Sequence, residues 1–245
     1  MTHAAPRPSD RIDALAAVAA VATVAVFAAP AYLAGATSTQ RDDLPGAAGD
    51  AFAAFWSGST TALDELASYW TRFHAAKAVL ATILLIAAIV LTRALAQRLG
   101  ARTGRVAGAD VALGTGLIVS SSLTALAALV VMANIQGAFV PRSSLLSAVP
   151  PGAAHPTDTS SMVDDFGRYH LVMAIVAGLA AAVTATALAI GWRRRPREPR
   201  RAVIVSRAYL SAMALATLAA LVVFAANVST AVDPTTALDA FFASV

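Results

Sequence analysis

An all-α, polytopic transmembrane bundle of about five spans is the fold class this sequence predicts, and three observations predict it. Of 245 residues, 58% are hydrophobic and only 13% charged, and the mean hydropathy is +0.69, far from the composition of a soluble domain. Five apolar runs are each long enough to cross a hydrocarbon core of ~30 Å, which takes about 20 helical residues. Arginine gathers in alternate connections between those runs, as lysine and arginine do in loops that stay cytoplasmic.

The runs fall near 12–35, 74–96, 111–136, 170–192 and 202–228. Each must be helical, because lipid cannot satisfy free backbone N–H and C=O groups. The first run has a basic start at Arg7 and Arg11 and small residues at Ala34, Gly35 and Ala36, features shared with a cleavable signal peptide. Its roughly 24 apolar residues exceed the usual 7 to 15 of a signal core, so it is read as a retained helix. Pro30 should kink its far end. In the segment that follows, Leu63, Leu66 and Trp70 recur at helical spacing after Thr61 and Asp64, which predicts a short helix over 61–70, either interfacial or docked by its apolar stripe onto the external ends of the bundle, where Phe52, Phe55 and Trp56 add surface.

Orientation follows from the basic residues. Arg93, Arg98, Arg102 and Arg105 surround the second connection between spans, and Arg193, Arg194, Arg195, Arg197, Arg200 and Arg201 fill the fourth. With Arg7, Arg11 and Arg207, an arrangement with the N-terminus in the cytoplasm and the C-terminus outside puts thirteen basic residues inside and five outside. Ten of the fourteen acidic residues, including Asp64, Asp158, Asp164 and Asp165, then lie outside. The alanine and arginine bias, with Lys77 the lone lysine, reads as GC-rich coding, and the expected location is a bacterial cytoplasmic membrane. The basic charge is a topology signal and not a nucleic-acid footprint. The expected partners are the bilayer itself and anionic headgroups at the cytoplasmic arginines, with association into homo- or hetero-oligomers left open.

The chain also repeats itself. Trp70-Thr-Arg72-Phe73-His74 opens the second span and Phe166-Gly-Arg168-Tyr169-His170 the fourth. The third and fifth spans leave through Asn134 and Asn227, each seven residues before a proline, Pro141 and Pro234. One membrane domain, 1–245, thus divides into a first helix with its loop (1–68) and two tandem helix pairs (69–150 and 151–245).

The rare polar residues of the repeat form the candidate outer-face site: Arg72, His74, Asn134, Arg168, His170 and Asn227. Of the four histidines, His74 and His170 fall at equivalent outer-leaflet positions of the repeat, where facing helices would let them provide the two axial ligands of a b-type haem through neutral imidazole nitrogen. The plainer reading is an interfacial histidine, hydrogen-bonded beside arginine and aromatic anchors, with no cofactor and no metal. Arg72 and Arg168 stand two residues from their histidines, about 200° around a helix, so arginine and histidine should point apart. A cation pair of this kind would also suit an anionic solute. No aspartate or glutamate sits in the middle of any span, which argues against a proton relay or a cation-coupled transporter. Gly114, Gly116, Ser120 to Ser122, Thr124, Thr184 and Thr186 instead suit close helix packing. Cysteine is absent, which removes disulfides and thiolate chemistry, and no phosphate-binding loop, metalloprotease helix or nucleophile elbow occurs.

The two aromatic-x-Arg-aromatic-His runs, each opening a helix after an outer loop with proline, resemble the last-helix signature of anthrone-oxygenase-like membrane proteins. That resemblance implies a helical membrane fold and oxygenase chemistry, and it covers the two five-residue motifs and the helix layout. Here histidine stands near where that family tends to carry asparagine, and there is an additional helix, so no catalytic residue is transferred. From the residues alone, the expected role is a structural or accessory membrane protein. The alternatives are a redox or oxygenase-like protein built on His74 and His170, and a small-solute channel or carrier.

Overall fold

The computed structural model describes residues 8–104, 107–150 and 159–243. Arg7, Arg105 and Asp158 lie outside them, as does most of the loop 150–161, whose Pro150-Pro151-Gly152 run and Thr/Ser-rich sequence predict irregular structure. Among the described residues there is no strand, and five helices are long and apolar enough to cross a membrane. They are α1 (Pro8–Ala28), α5 (Thr61–Ala101), α6 (Gly108–Phe139), α8 (Ser160–Arg193) and α9 (Arg200–Val232). Shorter helices fill the connections: α2 (Pro30–Leu33), α3 (Ser38–Asp42), α4 (Leu44–Trp56), α7 (Pro141–Leu146) and α10 (Pro234–Ala243).

Local chemistry sets the boundaries. Pro30 has no N–H to extend α1 and instead opens α2. Thr37 and Gln40 form a reciprocal capping box at α3. The Asp43 carboxylate accepts the Gly46 N–H to start α4. Pro141 and Pro234 each begin a short helix directly after a long one, so the two Asn-to-Pro exits have the same local form. The short helix expected over 61–70 is not separate. It is the first part of α5, which starts one residue after Thr60, whose carbonyl accepts the Asp64 N–H. No glycine or proline interrupts 61–99, so nothing breaks the hydrogen-bond ladder between Trp70 and His74.

Residues pack into two compact units. One comprises Phe27–Ala78, Met132–Leu179 and Ala220–Val245. Its core is built from the fully buried Phe52, Leu63, Leu145, Met162 and Leu238, with Tyr69 and Phe166. The short helices α4, α7 and α10 therefore each bury an apolar face against the long helices of this unit, which explains why Ala48, Ala51 and Leu146 are buried as well. The other unit comprises Met1–Val26, Val79–Val131 and Ala180–Ala219. Its core is made of small and aliphatic residues, Ala19, Ala22, Val26, Ala81, Leu84, Ala87 and Ala127, the composition that lets helix backbones approach closely.

Two further features tie this second unit together. Thr92 and Thr124 hydroxyls meet at 3.4 Å between α5 and α6, and Thr217 donates to Thr184 at 3.0 Å between α9 and α8. Asp110, at the start of α6, accepts from Arg102 at 3.0 Å and from the Ala107 N–H at 2.9 Å. Arg201 Nη1 lies 3.2 Å from Asp110 Oδ2, the oxygen that accepts from Ala107, close enough for ion pairing though not aligned for a hydrogen bond, while its Nη2 donates to the Gly104 carbonyl. The loop between α5 and α6 is thereby clasped to α9. Elsewhere on the long helices, large apolar side chains such as Val21, Ile118, Leu179 and Leu215 are more than 60% exposed, an arrangement stable only where the surrounding solvent is itself apolar.

Candidate functional site

The repeated polar residues are joined in pairs. His74 on α5 lies 2.7 Å through Nδ1 from Asn134 Oδ1 on α6, and His170 on α8 lies 2.8 Å through Nδ1 from Asn227 Oδ1 on α9. A carbonyl oxygen carries no hydrogen, so Nδ1 is the donor in both pairs and Nε2 is the acceptor of the neutral ring. The Asn227 amide is held in that sense by its own Nδ2, which donates to the Val223 carbonyl at 2.8 Å. Each histidine thus binds the asparagine of its own helix pair.

The two pairs have different surroundings. The His74 ring lies on Gly137, where an added Cβ would come within 2.8 Å of its Cγ, Cδ2 and Cε1 atoms. Trp70 meets the ring edge-on at 4.5 Å, and Phe73 does so at 5.4 Å. Nε2 is fully buried and has no hydrogen-bond partner among the described residues. The His170 ring is flanked by Phe166 at 4.7 Å and Tyr169 at 5.4 Å. Three residues after Asn227 stands Thr230, so no glycine occupies the equivalent position.

This packing does not suit a haem at His74. An axial ligand must present Nε2 to an open position, and here that atom is enclosed by protein with the ring stacked against backbone. Among the described residues no group of three or more histidine, aspartate or glutamate side chains has the placement to hold a metal ion.

The two arginines have separate tasks. Arg72 Nε donates to the Ala34 carbonyl at 3.1 Å and so fastens the end of α2 to α5. Arg168 lines a charged cleft of about 420 Å³. That cleft is bounded by Asp64, Ser68 and Thr71 of α5, by Phe139 to Arg142 at the α6 to α7 junction, and by Asp165 of α8. Arg142 bridges it, paired with Asp64 and 3.8 Å from Asp165. Arg168 has no ion-pair partner among the described residues. Lys77, the lone lysine, sits over the Phe73 and Phe27 rings at 5.4 and 5.8 Å, a cation–π contact that accommodates its charge.

Three contributors were not legible as site residues. Gly137 provides the floor for His74, and nothing distinguishes it in sequence from the other glycines of α6. Arg142 reads as a loop residue, and its two carboxylate partners are 78 and 23 positions away. Gln136 donates from Nε2 to the Tyr169 carbonyl at 3.0 Å, joining α6 to α8 beside both histidine pairs. Two residues beyond Asn134, it faces the opposite side of α6, as the helical repeat requires.

No protein-family model, curated protein or solved structure matches the chain.

Proposed function

We propose that this chain is a structural or accessory multipass protein of the bacterial cytoplasmic membrane, N-terminus inside and C-terminus outside, with α5–α6 and α8–α9 as a tandem repeat. The observation that carries the role is the engagement of both histidines by asparagine within their own helix pairs. Rare polar groups that face each other in this way hold helices in register. One spacing and one local feature support the repeat. In each second helix a threonine bonded to the first helix, Thr124 or Thr217, precedes the asparagine by ten residues, and each exit proline begins a short helix. Surrounding lipid, with anionic headgroups near the cytoplasmic arginines, is the proposed partner.

Paired replacement tests the role. Removing both members of a hydrogen bond in favour of apolar groups of similar size costs little, because no buried group is left unsatisfied. The His74→Leu, Asn134→Leu double variant should therefore fold with near-native thermal stability, and purified wild-type protein should show no visible absorption band. A chromophore lost in that variant, or turnover of a quinone by the wild type alone, would overturn the proposal.

The charged cleft favours a second reading, a carrier for a small zwitterionic or anionic solute received by Arg168. Solute flux into liposomes that survives Arg168→Gln unaltered would remove it.

A further inference from the structure

A groove of about 700 Å³ runs between α8 and α9. Its walls include Ala189, Trp192 and Arg193 of α8 and Arg207, Ser211 and Ala214 of α9. The helices are antiparallel across it, so both arginines stand at one end and small or apolar side chains line the rest. It is fixed in place by two close contacts of the same helix pair. Thr217 donates to Thr184, and Gly191 lies under Leu210 and Tyr209, whose Cδ2 and Cε1 atoms are 3.0 and 3.2 Å from where a Cβ would stand.

The charge at its mouth has no counterpart among the described residues. Arg193 and Arg207 are exposed and have no acidic partner among the described residues, whereas nearby Arg201 is held by Asp110. Arg195 stacks over Trp192 with its guanidinium carbon 4.3 Å from the ring centre, and Trp192 is 58% exposed, the disposition of an aromatic residue at headgroup level. An apolar slot in a membrane helix pair, with two unpaired guanidinium groups at its end, complements a molecule with a long hydrocarbon tail and an anionic phosphate head. Guanidinium binds phosphate oxygens in bidentate fashion, and in a partly desolvated setting such bonds are about twice as strong as neutral ones.

We propose that this groove is a specific site for an anionic phospholipid, one acyl chain lying between α8 and α9 and its phosphate held by Arg193 and Arg207. It narrows the general attraction of the arginine cluster for lipid, proposed above, to one groove and two residues.

The test uses the full chain in neutral detergent, with thermal unfolding followed as phosphatidylglycerol or phosphatidylcholine of matched chains is added. Phosphatidylglycerol should raise the midpoint by several degrees and phosphatidylcholine should not; soluble glycerol phosphate, which lacks chains, should do nothing. The Arg193→Gln, Arg207→Gln variant should weaken apparent phosphatidylglycerol affinity at least tenfold, and Ala189→Leu with Ala214→Leu should do so by filling the slot. Arg197→Gln with Arg200→Gln should change it less than threefold. Equal effects of the two lipids, or of the two arginine pairs, would sink the proposal. A loss confined to Arg197 and Arg200 would sink the groove while leaving the cluster's general attraction intact. As a measurement independent of variants, photoreactive phosphatidylglycerol should label α8 and α9 peptides of the wild type, and labelling only elsewhere counts against the site.

Discussion

Replacing Gly137 by alanine probes the His74 contact most directly. The new Cβ would stand 2.8 Å from three ring atoms of His74, well inside contact distance, and a ring bonded at Nδ1 cannot retreat without leaving Asn134. Overpacking of this kind costs about 1–3 kcal/mol. Loss of the His74 to Asn134 bond adds about 0.6–1.7 kcal/mol, the range for side-chain bonds between membrane helices. Against this, alanine is favoured over glycine inside a helix by up to about 1 kcal/mol. The expected net effect is destabilisation of about 1–3 kcal/mol, measurable by reversible unfolding in mixed micelles. Gly114, on the same helix, has nothing within 4 Å of its would-be Cβ, so Gly114→Ala should be neutral or slightly stabilising. In a His74→Ala background the clash disappears, and Gly137→Ala should then behave like Gly114→Ala. A penalty of the same size with and without His74 would refute the reasoning, since the cost would have to come from elsewhere.

The remaining predictions concern topology and the clasp at α6. Because the chain has no cysteine, single introduced thiols report sidedness cleanly. A membrane-impermeant maleimide should label Ser57→Cys and Ser147→Cys in intact cells but Ala101→Cys only after permeabilisation; the reverse pattern would invert the proposed orientation. Asp110→Asn removes the carboxylate shared by Arg102, Arg201 and the Ala107 N–H. It should speed amide exchange across the connection between α5 and α6 and at the start of α9, with little change at His74. Uniform acceleration over the whole chain would mean that the clasp supports the entire fold and not that connection alone.

Five long helices were legible because lipid imposes one secondary structure on any apolar run of sufficient length, and the runs here are bounded by arginine clusters and proline. What could not be read was how far each helix continues into polar sequence. Residues 61–73 carry Asp64, Glu65 and Arg72, so hydropathy ends the span near His74. The ladder nevertheless runs on to Thr61 because Leu63, Leu66 and Tyr69 bury against α4, α7 and α10 residues of the same core. The candidate site was legible to the level of residue type. The sequence motifs pointed to His74, His170, Asn134 and Asn227, and all four are engaged. The motifs did not disclose that each asparagine is the partner of a histidine in its own helix pair. That depends on the depth at which the second helix of each pair returns, which the length of the connection within each pair and the packing of small residues decide. Nor did they distinguish Arg72, bound to a backbone carbonyl, from Arg168, which faces the cleft.

The value of the two His–Asn bonds is better understood as pairing specificity than as stability. At about 0.6 kcal/mol for a typical side-chain bond between membrane helices, the two together are a minor share of a fold held mainly by close packing. A wrong partner is a different matter. If α5 met a helix with no polar group at the level of His74, the ring would be buried without a partner for Nδ1–H, and an unsatisfied buried donor costs about 1–3 kcal/mol. Slipping α6 by one turn would do the same and would also move Gly137 from beneath the ring, putting Asn134 or another side chain where only a hydrogen fits. In a chain whose apolar positions are dominated by alanine, helix surfaces are nearly interchangeable and offer little else to choose between registers. One His–Asn pair and one Thr–Thr contact per helix pair supply that choice at two depths, and the glycine beneath His74 makes the choice strictest between α5 and α6.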